Sequence, residues 1–186
     1  MNIIKFKTNL NVLTKRKGIN MTQVKLGDQV VDLSGSLPEI GSQAPDFLLA
    51  NNELVNMTLK DFEGKRLVLN IYPSLNTPVC SASAHKFNEL ASDMDNTKVL
   101  CISKDLAFNQ KQFCDINNLD NVTFLSDMRN HNFGNDYGIL HMNGKFQGLL
   151  ARSVVIINTD GTVGYTQLVD QTGHEPDYDD VLNVLT

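Results

Sequence analysis

The most reactive side chains in this sequence are three cysteines, at positions 80, 101 and 114. Thiol chemistry needs an ionised sulfur, so the first question is which of the three sits where a negative charge is favoured. Cys80 closes the stretch "PSLNTPVC", residues 73–80, which follows the apolar run "RLVLNIY". Thr77 is a good helix N-cap residue and Pro78 suits the first helical position. Cys80 therefore falls in the first turn of a helix that leaves a buried strand. Unpaired N–H groups and the positive end of the helix dipole gather there, and both favour a thiolate over a thiol. That makes Cys80 a candidate nucleophile, set against the plainer reading of a small core residue at a helix start. Val79, Ser83, Phe87, Leu90 and Met94 recur at helical spacing, which puts Cys80 about 100° round from Val79, on the edge of the buried face.

The other two cysteines read differently. Cys101 lies inside "KVLCIS", residues 98–103, a run with the pattern of a strand covered on both faces. A thiol buried there without a charged partner stays protonated and inert. Cys114 follows Phe113 on a predicted helix with Lys111, Gln112 and Asp115 around it, and position alone leaves it open between a filler and a second redox cysteine. The separations of 21 and 13 positions match no common zinc pattern, and an odd count is too few for a secreted disulfide scaffold. A reducing compartment, the cytoplasm, is the expectation. The four histidines show no metal-ligand spacing. No metal or cofactor is expected, and a hydrolytic pairing of Cys80 with His85 or His141 has no local signature.

These residues need elements to hold them. "VKLGDQVVDLSG", residues 24–35, gives two short β-prone runs around Gly27-Asp28, a predicted hairpin. An irregular segment broken by Pro38 and Pro45 follows, then a short strand and turn. "RLVLNIY" is a buried strand, residues 78 to about 92 a helix, "KVLCIS" a strand, "LAFNQKQFCDINNL" a helix and "VTFLS" a strand. "NHNFGNDYGI" reads as a short helix or loop. "SVVIIN", the turn "TDGT" and "VGYTQLV" make a hairpin, and Tyr178, Val181, Leu182 and Leu185 define a terminal helix behind Pro176. This order implies an α/β fold, a mixed central sheet with helices on both faces, in one domain over residues 21–186.

Composition bounds the function. The chain has 186 residues, 41% hydrophobic and 20% charged, with a formal charge of −5. Residues 1–20 carry five basic groups and no acid, leaving 11 basic against 21 acidic groups in the remainder. Such a body repels nucleic acid and anionic membrane surfaces. No stretch approaches the roughly 20 apolar residues that span a bilayer. The basic head lacks the apolar centre of a secretory signal and the Ser content of a transit peptide. It reads as a non-native extension or a loose tail, with Met21 as a candidate start.

"PSLNTPVC" fits the Pro-x-x-x-Thr/Ser-x-x-Cys motif of the peroxiredoxins, with Pro73, Thr77 and Cys80 in the three places. "TPVCSAS", "VLCIS", "FC" 34 residues beyond Cys80, and "ARSVVIIN" followed by "QLVD" and "EPDY" extend the resemblance to the bacterial thiol peroxidase branch, the atypical two-cysteine peroxiredoxins. The resemblance implies a thioredoxin-like fold with an added N-terminal β-hairpin. It also implies reduction of hydrogen peroxide and alkyl hydroperoxides, with thioredoxin as reductant and a homodimer as the assembly. By the same resemblance Cys80 is the peroxidatic cysteine, Cys114 the resolving cysteine, Cys101 an extra strand cysteine outside turnover, and Arg152 the arginine facing the thiolate. Thr77 can hydrogen-bond sulfur and substrate, and Pro73, without an N–H, can shape and shield the pocket. Asn76 departs from the branch, which carries an acid there. A redox switch or peroxide sensor using the same disulfide is the alternative function.

Overall fold

A computed structural model describes residues 22–185, so the expectations for the basic head fall outside the described residues. The chain opens with a hairpin, β1 (Gln23–Leu26) and β2 (Gln29–Asp32), in which Leu26 faces Gln29 across a two-residue turn. Gly27 there takes φ 62°, a left-handed conformation that needs the missing Cβ. Then come β3 (Leu49–Asn51), β4 (Asn56–Met57) and a single 3-10 turn at Leu59–Phe62. β5 (Arg66–Ile71), α1 (Pro78–Ala91), β6 (Thr97–Ser103), α2 (Ala107–Asn117) and β7 (Val122–Ser126) form two successive crossover units. The chain ends with α3 (Phe133–Asp136), β8 (Ser153–Ile157), β9 (Val163–Leu168) and α4 (Tyr178–Leu185).

Seven strands make one sheet in the order β4-β3-β7-β6-β5-β8-β9. β5, β6 and β7 are parallel, while β8 and β9 are antiparallel to their neighbours. The period-2 alternation of the central strands sorts their side chains into two cores. Leu67, Leu69 and Ile71 of β5 face a core shared with the β1–β2 hairpin, Phe133 of α3 and Tyr137. Val68, Val99, Cys101, Phe124 and Val154 face the core under α1, α2 and α4. The mixed sheet, its helices and the hairpin are as the sequence predicts, although three of the four helices share one face. The β8–β9 turn is looser than a tight Asp-Gly turn. It spans residues 158–162, closed by Asn158 N–H to the Thr162 carbonyl and followed by a register shift at Ile156/Ile157.

Strand pairing sets where the chemistry can occur. Ile71 ends β5 opposite Ile102 of β6 and Ser153 of β8. Because β6 is parallel to β5 and β8 is antiparallel, the residues after β5, those after β6 and those just before β8 all emerge at one end of the sheet. "PSLNTPVC", "SKD" (residues 103–105) and Arg152 are thereby brought together from positions 23 to 79 residues apart in sequence.

Candidate active site

Helix α1 starts at Pro78 with Thr77 as its N-cap in extended conformation, φ −111° and ψ 145°. Its buried residues are Cys80, Ser83, Ala84 and Phe87, whereas Val79 and Leu90 are only half-buried. Ser83 and Phe87 of the expected stripe are buried, but Cys80 and Ala84 join them in place of Val79, so Cys80 is central to the buried face, not on its edge. Positions 80, 83 and 84 put small side chains over the sheet near the helix start, where close approach excludes the bulk of Val79.

The expected cap hydrogen bond is absent: the Thr77 hydroxyl makes none to the helix backbone. Its oxygen lies 2.8 Å from the Cys80 sulfur and 3.2 Å from the Ser74 carbonyl. A hydroxyl has one proton to give, and an ionised sulfur is the stronger acceptor. Arg152 reaches the same sulfur from the other side, with Nη2 at 3.3 Å. Arg152 is 2% exposed, and its Nε and Nη2 also donate to the Thr172 carbonyl at 3.4 and 3.3 Å. The hairpin holds that carbonyl's segment in turn, since Lys25 N–H donates to the Asp170 carbonyl and Thr172 N–H to the Lys25 carbonyl. The remaining Arg152 donor, Nη1, is buried without a hydrogen-bond partner. Pro73 is buried where β5 ends.

The other cysteines occupy the two environments read from the sequence. Cys101 is fully buried in β6 and accepts a long hydrogen bond, 3.6 Å, from the Asn70 amide, whose oxygen takes the Ser83 hydroxyl proton. Burial pushes its thiol up to about 12, so it stays protonated. Cys114 is half-buried on α2, its thiol donating to the Leu119 carbonyl at 3.3 Å. Partial burial, then the charges of Asp115 and Asp120, push that thiol up, against a smaller pull from Lys111. All three are free thiols. His85 is exposed and stands edge-on to Phe113. His141 is buried beside the hairpin, where its backbone bridges Leu33 and its ring meets Phe146. Neither imidazole is a hydrogen-bond partner of Cys80, which leaves the hydrolytic pairing without a base.

Sequence reasoning missed four groups here. Asp105 accepts hydrogen bonds from the Ser74 hydroxyl and the Leu75 N–H. Thr172 acts through its carbonyl, which has no sequence signature. Ser83 and Asn70 form the buried polar link to Cys101. Only the alternation of Asn70 within an apolar strand hints at that link.

Comparison with known proteins gives the family and the fold. The Redoxin family matches residues 39–182. A thiol peroxidase from Corynebacterium glutamicum is 49% identical over 152 residues, 82% of this chain and 92% of the relative. A thiol peroxidase from Mycobacterium tuberculosis is 43% identical over 165 residues, 89% of this chain and 99% of the relative. The crystal structure of a peroxiredoxin-like protein from Aquifex aeolicus superimposes with a TM-score of 0.83 at 37% identity, covering 90% of this chain and 98% of that one. A thiol peroxidase from Chromobacterium violaceum shares the fold, with a TM-score of 0.82 at 19% identity, over 88% of this chain and 94% of that one. The chain belongs to the Redoxin family and, within it, to the thiol peroxidase branch of the peroxiredoxins.

Proposed function

We propose that this enzyme reduces hydrogen peroxide and alkyl hydroperoxides at Cys80, that Cys114 resolves the oxidised sulfur, and that thioredoxin recycles the resulting disulfide. The observation that carries the reading is a buried sulfur at a helix N-terminus, touched by one hydroxyl donor at 2.8 Å and one guanidinium donor at 3.3 Å. Both donors stabilise negative charge on sulfur, and the guanidinium does so permanently.

The Cys80 thiolate attacks the terminal oxygen of the hydroperoxide. The S–O bond forms as the O–O bond breaks, and the departing hydroxide or alkoxide takes up a proton to leave as water or alcohol. Arg152 Nη1, a buried donor without a partner, suits the peroxide oxygens and the charge that develops on the leaving one. Pro73 closes the pocket beneath them without offering a competing N–H. Cys80 is left as a sulfenic acid. The Cys114 thiol then bonds to the Cys80 sulfur, and the sulfenic oxygen leaves as water. Cys80 faces the core from the first turn of an intact α1 and Cys114 sits on α2, so this step unwinds local helix to bring the sulfurs within bonding reach. A dithiol of the thioredoxin class returns both thiols and is itself oxidised.

Residues 21–186 work as one catalytic domain in this reading, as a homodimer in the reducing cytoplasm, and the basic head takes no part in turnover. Steady-state peroxide consumption coupled to thioredoxin tests it. Cys80→Ser should be inactive, while Cys114→Ser should consume one equivalent of peroxide and then stall. Thioredoxin-dependent turnover by Cys80→Ser at the wild-type rate would refute the reading.

A further inference from the structure

At the end of the sheet that carries Cys80, one carboxylate ties two loops together. Asp105 lies between β6 and α2, next to the α2 N-cap residue Leu106. It accepts hydrogen bonds from the Ser74 hydroxyl at 2.7 Å, the Leu75 N–H at 2.8 Å and the Ser103 hydroxyl at 2.8 Å. Its own position is fixed on the far side. The Ser126 hydroxyl donates to the Asp105 carbonyl, and Gln110, buried, bridges the Ser103 hydroxyl and the Leu125 carbonyl. Asp105 is therefore anchored to β6, β7 and α2 while it holds residues 74 and 75.

The link continues to the reacting sulfur. The Ser74 carbonyl accepts from the Thr77 N–H at 3.2 Å and lies 3.2 Å from the Thr77 hydroxyl, which is 2.8 Å from the Cys80 sulfur. Among the described residues, the bonds to Asp105 are the only hydrogen bonds from residues 74–76 to another part of the chain. Hydrogen bonds to an ionised acceptor are about twice as strong as neutral ones. Without them this loop keeps only its own turn and the packing of the buried Leu75 side chain.

We propose that Asp105 is a positioning residue that gates the two half-reactions in opposite senses. With Ser74 and Leu75 bound, the loop is closed, Thr77 points at the sulfur and Cys80 reacts with peroxide. Release of Ser74 and Leu75 frees the loop and the first turn of α1, so that the Cys80 sulfenic acid can meet the Cys114 thiol and lose its oxygen as water. The carboxylate thus accelerates oxidation and retards disulfide formation. This rests on the roles proposed above for Cys80 and Cys114.

The test is single-turnover chemistry on the full chain, with rapid quenching, alkylation and mass spectrometry to follow loss of the Cys80 thiol and gain of the Cys80–Cys114 disulfide separately. Asp105→Asn keeps the shape but removes the charge, and should slow oxidation about tenfold while speeding disulfide formation from the sulfenic acid by a similar factor. Ser74→Ala, which leaves the carboxylate and the Leu75 bond in place, should shift both steps in the same opposed directions by a smaller factor. It also carries the test alone if Asp105→Asn does not fold. In the double variant the shifts should fall short of the product of the single ones, because both remove the same bond. A purely structural role would slow both steps together or change only the melting temperature, and either result in Ser74→Ala overturns the proposal. Absence of a Cys80–Cys114 disulfide in peroxide-treated wild type would instead remove the reading beneath it, before any variant is compared.

Discussion

Replacing Arg152 with methionine removes the cation that touches the Cys80 sulfur while keeping much of the buried volume. Nη2 lies 3.3 Å from the sulfur and the residue is 2% exposed, so solvent screens the pair little. Unit charges about 4 Å apart interact by about 4 kcal/mol at an effective dielectric of about 20. A net hydrogen bond to a charged group is worth about 1.5–3 kcal/mol. The two figures describe largely the same attraction and are not summed, so the thiolate and the transition state lose about 2–4 kcal/mol, or about 30- to 1,000-fold in rate. Stability should follow a different course. The variant deletes a buried charge with one unpartnered donor, which favours folding, and deprives the Thr172 carbonyl of its donors, which opposes it. The assay is the second-order rate of Cys80 thiol loss with hydrogen peroxide at pH 7, with circular dichroism as the folding control. Arg152→Lys should fall between the two, because a single ammonium cannot serve the sulfur and Thr172 with a planar fork. A folded Arg152→Met that reacts within threefold of wild type would refute the reasoning.

Thr77→Val removes the hydroxyl 2.8 Å from the sulfur and should slow the peroxide step by about 10- to 100-fold. The melting temperature should stay near that of wild type, because the hydroxyl makes no cap bond; a variant that loses stability but not rate would contradict this. Cys101→Ala should turn over within about twofold of wild type. Native protein at pH 8 should leave Cys101 unlabelled by iodoacetamide, since its thiol is pushed up to about 12 by burial. His141 is 1% exposed, neither ring nitrogen has a hydrogen-bond partner, and burial pulls it down to about 4 from an ordinary value near 6.5. The unfolded chain therefore takes up the proton first as pH falls, so stability is complete above about pH 6.5 and declines towards pH 4. The loss is about 2–3 kcal/mol over that range. Urea denaturation of His141→Phe should show a shallower decline between pH 7 and 4.5 than wild type, and an unchanged slope would show that this histidine is not the group responsible.

What the sequence disclosed depended on whether the signal was local. β5, β6 and β7 were legible because each is a short apolar run bounded by turn residues, and α1 because Thr77-Pro78 marks its start. The face of α1 is legible at Ser83 and Phe87 but not in its first turn, because Cys80 and Ala84 weigh little in an apolar pattern, although small side chains are what let a helix start lie close to a sheet. Thr77 is the N-cap residue by position, as its type suggests, but its hydroxyl makes no cap bond and lies instead 2.8 Å from the sulfur three residues on, the partner that the family resemblance implies. Arg152 was reachable only through family resemblance, since nothing around it shows that an antiparallel strand will set it level with the end of β5. Asp105 lies 30 positions or more from Ser74 and Leu75, and it meets them only because β5 and β6 are parallel and in register. The Thr172 carbonyl is backbone, which any residue type would supply.

The most direct test of the account is the fate of the three thiols after one equivalent of hydrogen peroxide is added to fully reduced protein. Alkylation under denaturing conditions and peptide mapping should find a Cys80–Cys114 disulfide, with Cys101 still a free thiol. A disulfide containing Cys101, or a Cys80 that remains free while the peroxide is consumed, would contradict it.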